Sequence, residues 1–373
     1  MATRLSAAVW ALVHFCYLAS VSSSPSGVVQ LKQQVLVGPI AGPNATSLEI
    51  VIDSAYYTRT TLQFPCQSIK CTGWLYVPKA VAGSSKPPVI VMGHGLGGDK
   101  THLQHYAMQY VSAGFAVFSF DYRFWGDSDG EPRRWIAPQK QVEDWLSAVQ
   151  FVQTDLSSSV DSSRLSLWGT SFGGGHVITI ASKLGRHIKA VVSQVPHLDS
   201  RLASSLNLLN RGVLGTSVLA ATSLADRAAE KLNGPYLYVP LAGPTGSLAI
   251  MQLHDDELSA YYEYKGLHAA DATSNPAQDP PWRKFVTRAR LASDPAMAMY
   301  SPIDGIHAAT APIMIVAGKK DGLCPYFAAM SAQRRARNAT LVTYDCLHFD
   351  IYNPPWFQQA VDKEVEFLLK FGV

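Results

Sequence analysis

The chain has 373 residues, a formal net charge of +3 and only 16% charged residues. This length can bury a large core, and an α/β sheet with one insertion accounts for it as well as two domains would. No block of lysines and arginines occurs, so we expect no nucleic-acid partner.

Residues 1–24 have the pattern of a secretory signal peptide. Arg4 supplies a positive charge, residues 5–21 are mostly apolar, and small residues follow. An uncleaved membrane anchor is the alternative, although the apolar run is short for a membrane span. We therefore expect a secreted protein with no other membrane segment.

Four cysteines remain after this segment, and an even number favours disulfides in a secreted protein. We predict that Cys66 pairs with Cys71 across a hairpin and that Cys324 pairs with Cys346 between two C-terminal loops. Sequence cannot determine connectivity, and four reduced thiols are the alternative. Two Asn-x-Thr sequons predict glycosylation, at Asn44 and Asn338.

Alternating apolar residues predict short antiparallel strands at residues 49–53, 57–64 and 72–77. Strands and helices then alternate, which predicts a parallel sheet with helices on both faces. The predicted strands are 89–92, 115–120, the apolar run that leads into the Gly-x-Ser-x-Gly segment at Gly169, and 188–195. The predicted helices are 101–113, 139–154 and one that follows this segment to about residue 184.

Residues 197–310 interrupt this alternation, and we predict that they form a helical lid inserted after the sixth core strand. The alternation resumes with strands 312–317 and 339–344 and helices 326–335 and 355–371. The predicted organisation is therefore a signal peptide (1–24), a first core part (25–196), the lid (197–310) and a second core part (311–373).

The pentapeptide Gly169-Thr170-Ser171-Phe172-Gly173 lies between a predicted strand and a predicted helix. Gly-x-Ser-x-Gly arises often by chance, but the strand before it and the helix after it are typical of a nucleophile elbow. Gly169 and Gly173 allow the strand and the helix to approach closely, so Ser171 is the predicted nucleophile.

A nucleophilic serine needs a base and an acid that orients the base. Asp321 and His348 follow the last two predicted strands, in the order that a hydrolase of this kind requires. Taken singly, they could be a turn residue and a core histidine. Asp199 is the second choice of acid, and Asp345 and Asp350 are too near His348 in the chain to be the first.

Two backbone N–H groups should stabilise the oxyanion of an acyl-transfer intermediate. We predict the N–H of Phe172, directly after the nucleophile, and the N–H of Leu96, in the loop after strand 89–92. His94, Gly95 and Gly97 support this loop, whose glycines leave the backbone free to point inward.

Two cofactor hypotheses are disfavoured. Gly93, Gly95 and Gly98 match the dinucleotide motif G-x-G-x-x-G, but the next helix is predicted only near residue 101 and a secreted chain meets little NAD. A metal site would use ligand-type residues whose spacing matches no zinc pattern, namely Asp321, Cys324, Cys346, His348 and Asp350. We expect no cofactor.

From about residue 57 to its end, the chain resembles α/β-hydrolases with an Xaa-Pro dipeptidyl-peptidase-like or serine aminopeptidase-like domain. This group is related to dienelactone hydrolases and to fungal polyketide-cluster hydrolases. The resemblance lies in residues 73–78, 93–98, 121–130, 169–174, 238–244 and 348–352, and in Asp321 with Pro325. It implies an α/β-hydrolase fold and serine hydrolase chemistry.

We therefore predict a serine hydrolase that cleaves a small carboxylic ester or thioester through an acyl-enzyme. The first alternative is a serine peptidase that holds a free N-terminus on an acidic lid group, such as one in Asp255-Asp256-Glu257. The second is a catalytically inactive hydrolase-fold binding protein, similar to neuroligin-like adhesion proteins.

Overall fold

The computed structural model describes residues 32–34, 51–53, 56–79, 86–265, 288–290, 297 and 299–372. The predicted signal peptide and Asn44 lie outside the described residues. Among those residues, no helix combines the length and the apolar character that a membrane crossing requires.

The described residues include a central sheet of ten strands. These are β1 (Lys32–Gln34), β2 (Val51–Asp53), β3 (Tyr57–Cys66), β4 (Ile69–Pro78), β5 (Pro88–Gly93), β6 (Ala116–Phe120), β7 (Asp161–Thr170), β8 (Val191–Gln194), β13 (Ile313–Gly318) and β14 (Ala339–Tyr344). Their order in the sheet is β1-β2-β3-β4-β6-β5-β7-β8-β13-β14. Neighbours from β1 to β4 pair antiparallel, as does β4 with β6, and the remaining neighbours pair parallel.

Helices connect the parallel strands, because parallel neighbours need a crossover connection. The connecting helices are α1 (Gln104–Ser112), α2 (Pro138–Thr154), α3 (Phe172–Leu184) and α7 (Tyr326–Arg335), and α8 (Trp356–Phe371) follows the last strand. Pro138 occupies the first turn of α2, where its missing N–H has no intrahelical acceptor. The predicted α/β fold with an antiparallel start is confirmed.

Helices cover both faces of the sheet, because alternate residues of its central strand enter different cores. Val89 and Val91 pack in the cluster that includes α2 and α3. Ile90 and Met92 pack in the cluster that includes α1 and α8. Burial on both faces explains why β5 is a continuous apolar run.

An insertion separates β8 from β13. It includes α4 (Ser200–Lys231), which is broken at Gly212 with a φ of 72°, α5 (Asp255–Tyr264) and α6 (Pro302–Gly305). The sequence predicted helices alone, whereas the structure adds two small sheets. Their strands are β9 (Tyr238–Pro240), β10 (Ala242–Pro244), β11 (Met251–Leu253) and β12 (Arg288–Arg290). That this segment acts as a lid stays a prediction.

Candidate active site

Ser171 occupies a sharp turn between β7 and α3, with a φ of 55° and a ψ of −117°. A non-glycine residue with positive φ is under backbone strain, which is common at functional sites. Close packing keeps the turn tight, because a Cβ at Gly169 would lie 2.3 Å from the Gly173 carbonyl oxygen. A Cβ at Gly173 would likewise lie 2.5 Å from the His94 carbonyl oxygen.

Three residues that are far apart in the sequence form one hydrogen-bonded chain. His348 Nε2 lies 3.0 Å from Ser171 Oγ, and His348 Nδ1 lies 2.7 Å from Asp321 Oδ2. Because a carboxylate only accepts, Nδ1 carries a proton, and in the neutral imidazole the Nε2 lone pair then faces the Ser171 hydroxyl. This arrangement can transfer a proton from Ser171 to His348.

Asp321 is held by the backbone that follows it. Its Oδ1 accepts hydrogen bonds from Leu323 N at 2.9 Å and from Cys324 N at 2.6 Å. These bonds leave Oδ2 directed at His348. The carboxylate is therefore oriented before any substrate binds.

The electrostatics of the site favour a charged imidazole. Burial alone lowers the pKa of His348, but the Asp321 charge and hydrogen bond outweigh it and raise the pKa well above its usual value. The Cys324 thiol lies beside the same ring. Its own pKa is raised by burial, so the thiol is neutral near pH 7 and Asp321 supplies the charge.

Gly95 brings the β5–α1 loop against the nucleophile, because a Cβ at position 95 would lie 3.4 Å from Ser171 Oγ. The predicted oxyanion donors, Leu96 N–H and Phe172 N–H, have no hydrogen-bond acceptor among the described residues. His94 Nδ1 donates to the Gly95 carbonyl at 2.9 Å. Burial lowers the pKa of His94 to about 3, so this ring is neutral.

A second loop glycine meets the insertion. Gly97 has a φ of 72°, and a Cβ there would lie 2.4 Å from Leu241 Cδ1. The left-handed backbone therefore favours glycine at this position, and a larger residue would also displace the Leu241 side chain. Leu241, which lies between β9 and β10, joins the same core cluster as α3.

The sequence predicts Glu257 only as one member of an acidic run that would hold a substrate amine, and it does not predict contact with the loops of the triad. Its side chain reaches from the N-terminal turn of α5 to the loops of Asp321 and His348, where a Cβ at Gly322 would lie 3.2 Å from its Oε2, and it is 4% exposed. Burial raises its pKa, and the His348 charge and the backbone N–H groups of His348 and Gly322 oppose this effect. Its Oε1 is buried and has no hydrogen-bond partner in the described chain.

Asp199, the second choice of acid, is not the partner of His348. It caps α4 by accepting from Arg201 N at 2.9 Å, and it pairs with the Arg201 side chain. Asp350 instead accepts from Leu347 N at 2.9 Å, and Asp345 pairs with Lys320 at 3.0 Å.

The structure contains the Cys66–Cys71 disulfide across the β3–β4 hairpin, but the predicted Cys324–Cys346 disulfide is wrong. Cys324 directs its thiol to Asp321 and His348, and ligand atoms of these three residues lie within 4.8 Å of one another. They are therefore close enough to chelate a metal ion. Cys346 packs beside Gly318, where a Cβ would lie 3.3 Å from its Sγ.

Asn338, the second predicted glycosylation site, is exposed directly before β14. The aromatic residues of the insertion pack mainly as core. Tyr261 contacts Phe349 at a ring distance of 5.0 Å, and Tyr264 contacts Tyr352 at 4.3 Å. These contacts join α5 to the loop that carries His348.

The matches to known proteins include both the core and the insertion. A protein-family model described as serine aminopeptidase, S33 matches residues 84–353. Quorum-quenching protein AidA of Acinetobacter baumannii is 31% identical over 308 residues, which are 82% of this chain and 93% of AidA. Thiohydrolase aneE of Aspergillus aculeatus is 30% identical over 133 residues, which are 35% of this chain and 39% of that protein.

Among solved structures, DcsB in complex with its substrate analogue aligns with a TM-score of 0.65 and 22% identity. The alignment covers 84% of this chain and 99% of DcsB. At this level of identity, the likeness is one of fold.

Proposed function

This chain belongs to the serine aminopeptidase (S33) family of α/β-hydrolases, and from that premise we propose that it is a secreted serine hydrolase acting on carboxylic esters or thioesters. One observation carries the proposal: His348 lies 3.0 Å from Ser171 Oγ and 2.7 Å from Asp321 Oδ2. A relative that carries the name thiohydrolase favours including thioesters among the substrates.

The proposed reaction has two halves. Ser171 Oγ attacks the carbonyl carbon while its proton moves to His348 Nε2, and the carbonyl oxygen becomes an oxyanion. The N–H groups of Leu96 and Phe172 stabilise that oxyanion. The intermediate then collapses, and the leaving alcohol or thiol takes the proton from His348.

Water completes the cycle. His348 Nε2 accepts a proton from the water molecule, whose oxygen attacks the acyl carbon of the Ser171 ester. Collapse of the second intermediate returns that proton to Ser171 Oγ and releases the carboxylic acid. Asp321 keeps the imidazole in the required tautomer throughout and stabilises its charged form.

Secretion is supported by the signal-like pattern of residues 1–24 and by the buried Cys66–Cys71 disulfide. Expression of the full chain in a secreting host tests it. N-terminal sequencing of protein from the medium should find a new terminus close to residue 25, whereas retention of the whole chain in the cells would contradict secretion.

A peptidase is the second candidate, because the buried and unpartnered Oε1 of Glu257 lies near the triad. Such a carboxylate could hold the free amine of a peptide substrate. An inactive binding protein, the third hypothesis, would give no Ser171-dependent turnover of any substrate.

A substrate panel separates these functions. The panel comprises p-nitrophenyl esters from acetate to palmitate, acyl thioesters, and aminoacyl and prolyl p-nitroanilides, with the Ser171→Ala variant as the blank. We expect turnover of esters or thioesters that Ser171→Ala abolishes, with the variant's melting temperature within about 2 °C of the wild type. Turnover of anilides alone would favour the peptidase, and full activity of Ser171→Ala would refute both.

A further inference from the structure

The direction of the Leu96 N–H is determined by the Gly95–Leu96 peptide unit. The Gly95 carbonyl accepts hydrogen bonds from Gly98 N at 3.1 Å and from His94 Nδ1 at 2.9 Å. In a planar trans peptide, the C=O and the following N–H point in opposite directions. Two donors on the Gly95 oxygen therefore orient the Leu96 N–H on the other side of that peptide.

The next link is the Gly97–Gly98 peptide unit. Its N–H is the Gly98 donor to Gly95, and its carbonyl oxygen, on the opposite side, accepts from Lys265 Nζ at 2.8 Å. The same planarity thus connects Lys265 to the Leu96 N–H through two peptide units. Glycine at 97 and 98 leaves this backbone soft, so an external hydrogen bond has a large influence on its orientation.

Lys265 reaches this loop from the insertion, where it directly follows α5. Its side chain is 1% exposed, and its Nζ lies 3.3 Å from His102 Nε2. The rings of Tyr261 and Tyr264 cover it, with centroids 6.0 Å and 5.5 Å from Nζ. Lysine is almost never fully buried unless its ammonium group has a partner. Here that group donates a hydrogen bond to the loop beside the nucleophile.

We propose that Lys265 is a positioning residue that holds the Leu96 N–H in the orientation of an oxyanion donor. The insertion then controls the catalytic competence of the core through this one ammonium group. The inference rests on the proposed function, because an oxyanion forms only if Ser171 attacks a carbonyl. If Lys265 only anchored α5, its removal would lower the stability of the protein but would not weaken binding of the transition state more than binding of the substrate.

The first test compares Lys265→Met, which keeps the length of the side chain and removes the donor, with Lys183→Met at an exposed lysine of α3. The readouts are kcat and KM for the best ester of the panel. Two inhibition constants are also measured. The first is for an alkyl trifluoromethyl ketone, which forms a tetrahedral adduct with the serine, and the second is for the matching alcohol, which forms no adduct.

For Lys265→Met we expect kcat to fall roughly 10- to 100-fold. This loss is equal to or smaller than the loss in kcat when an oxyanion donor itself is removed. KM should stay within about twofold. Inhibition by the trifluoromethyl ketone should weaken by the same factor as kcat, and inhibition by the alcohol should not change. Equal weakening of the ketone and the alcohol, or an unchanged kcat, would overturn the proposal.

A second measurement uses the pH dependence of kcat. Burial lowers the pKa of Lys265 to about 8, with the charge of Asp99 opposing this effect. The titratable groups that face its ammonium are Asp99, His102, His94, Tyr261 and Tyr264. Burial lowers the pKa of both histidines and raises that of both tyrosines, and the net pKa of Asp99 is lowered, so all five titrate away from pH 8.

The ratio of wild-type kcat to Lys265→Arg kcat should therefore decline as pH rises through about 8, because the neutral amine is a weaker donor and the arginine stays charged, while KM changes little. This ratio removes the rise in kcat that titration of His348 gives to both proteins. A ratio that is flat from pH 7 to pH 9.5 would overturn the proposal. Failure of the proposed function is separate, because Ser171→Ala would then keep its turnover and the ketone would not inhibit.

Discussion

Gly95 lies directly against Ser171: a Cβ at position 95 would come within 2.8 Å of Ser171 Cβ. That distance is shorter than real contacts allow, and the neighbouring backbone leaves little freedom to relax. We expect Gly95→Ala to move the loop or the nucleophile by several tenths of an ångström and to lower kcat by about 100-fold.

Gly305→Ala is the matched control for this prediction, because the nearest atom to a Cβ there is 3.7 Å away. Steady-state kinetics with the best ester should find this control within about twofold of the wild type. Wild-type activity in Gly95→Ala would mean that the loop lies farther from the nucleophile than the structure has it.

Asp321→Asn should impair catalysis through the tautomer of His348. The backbone N–H groups of Leu323 and Cys324 hold an oxygen at the Oδ1 position, so the amide NH₂ would face His348 Nδ1. The imidazole would then carry its proton on Nε2 and could not accept one from Ser171. We expect kcat to fall roughly 10³- to 10⁴-fold.

The pH profile provides an independent readout for Asp321. Because neutral His348 is the base, kcat/KM of the wild type should rise with pH through the raised pKa of His348. Removal of the Asp321 charge lowers that pKa, so the residual activity of Asp321→Asn should rise at lower pH. A rise at the same pH in both proteins would contradict this assignment.

Glu257→Gln distinguishes the two candidate hydrolase functions. If Glu257 holds the amine of a peptide substrate, loss of a charge-assisted hydrogen bond should raise KM for aminoacyl anilides by about tenfold or more. If the protein is an esterase, KM for an uncharged ester should stay within about threefold. Asp256→Gln, at an exposed neighbour on α5, is the control.

Glu364 should make the protein less stable as pH rises. Its carboxyl is fully buried, Oε2 accepts from Trp168 Nε1 at 3.1 Å and from Tyr110 Oη at 2.5 Å, and burial raises its pKa from 4.5 to about 7. A raised folded-state pKa stabilises the fold below the unfolded value of 4.5, and this stabilisation is lost as pH rises to about 7.

The shift corresponds to a loss on the order of 3 kcal/mol between these limits. Urea unfolding at pH 4 and pH 8 should therefore reveal a smaller decrease in Glu364→Gln than in the wild type. Glu366→Gln, at an exposed residue of the same helix, should follow the wild type. Equal decreases in all three proteins would refute a raised pKa at Glu364.

The four described cysteines should divide into one disulfide and two thiols. Alkylation in denaturant without reductant should modify Cys324 and Cys346 only, as read by peptide mass spectrometry. A Cys66→Ala/Cys71→Ala variant should lose about 2 kcal/mol of unfolding free energy, which the loop-entropy relation gives for so short a loop. Protection of Cys324 and Cys346 from alkylation would restore the second disulfide.

The sequence alone determined the sheet and the elbow. Residues 89–92 are apolar because β5 is buried on both faces, and Gly-x-Ser-x-Gly follows a strand because only small residues fit that turn. These are local requirements, which a short segment records in its own composition. Asp321 and His348 each follow a predicted parallel strand, so the sequence also predicts that they lie at the same edge of the sheet as Ser171.

Only the tertiary structure decided which side chains from the insertion reach the site. Lys265 contacts Gly97 across 168 positions of sequence, and Glu257 reaches the loops of Asp321 and His348 from a helix with no motif. The same holds for Cys324, whose thiol turns to His348 instead of to Cys346. Such contacts depend on how separate elements pack, and packing between distant elements leaves no periodic or local signal in the chain.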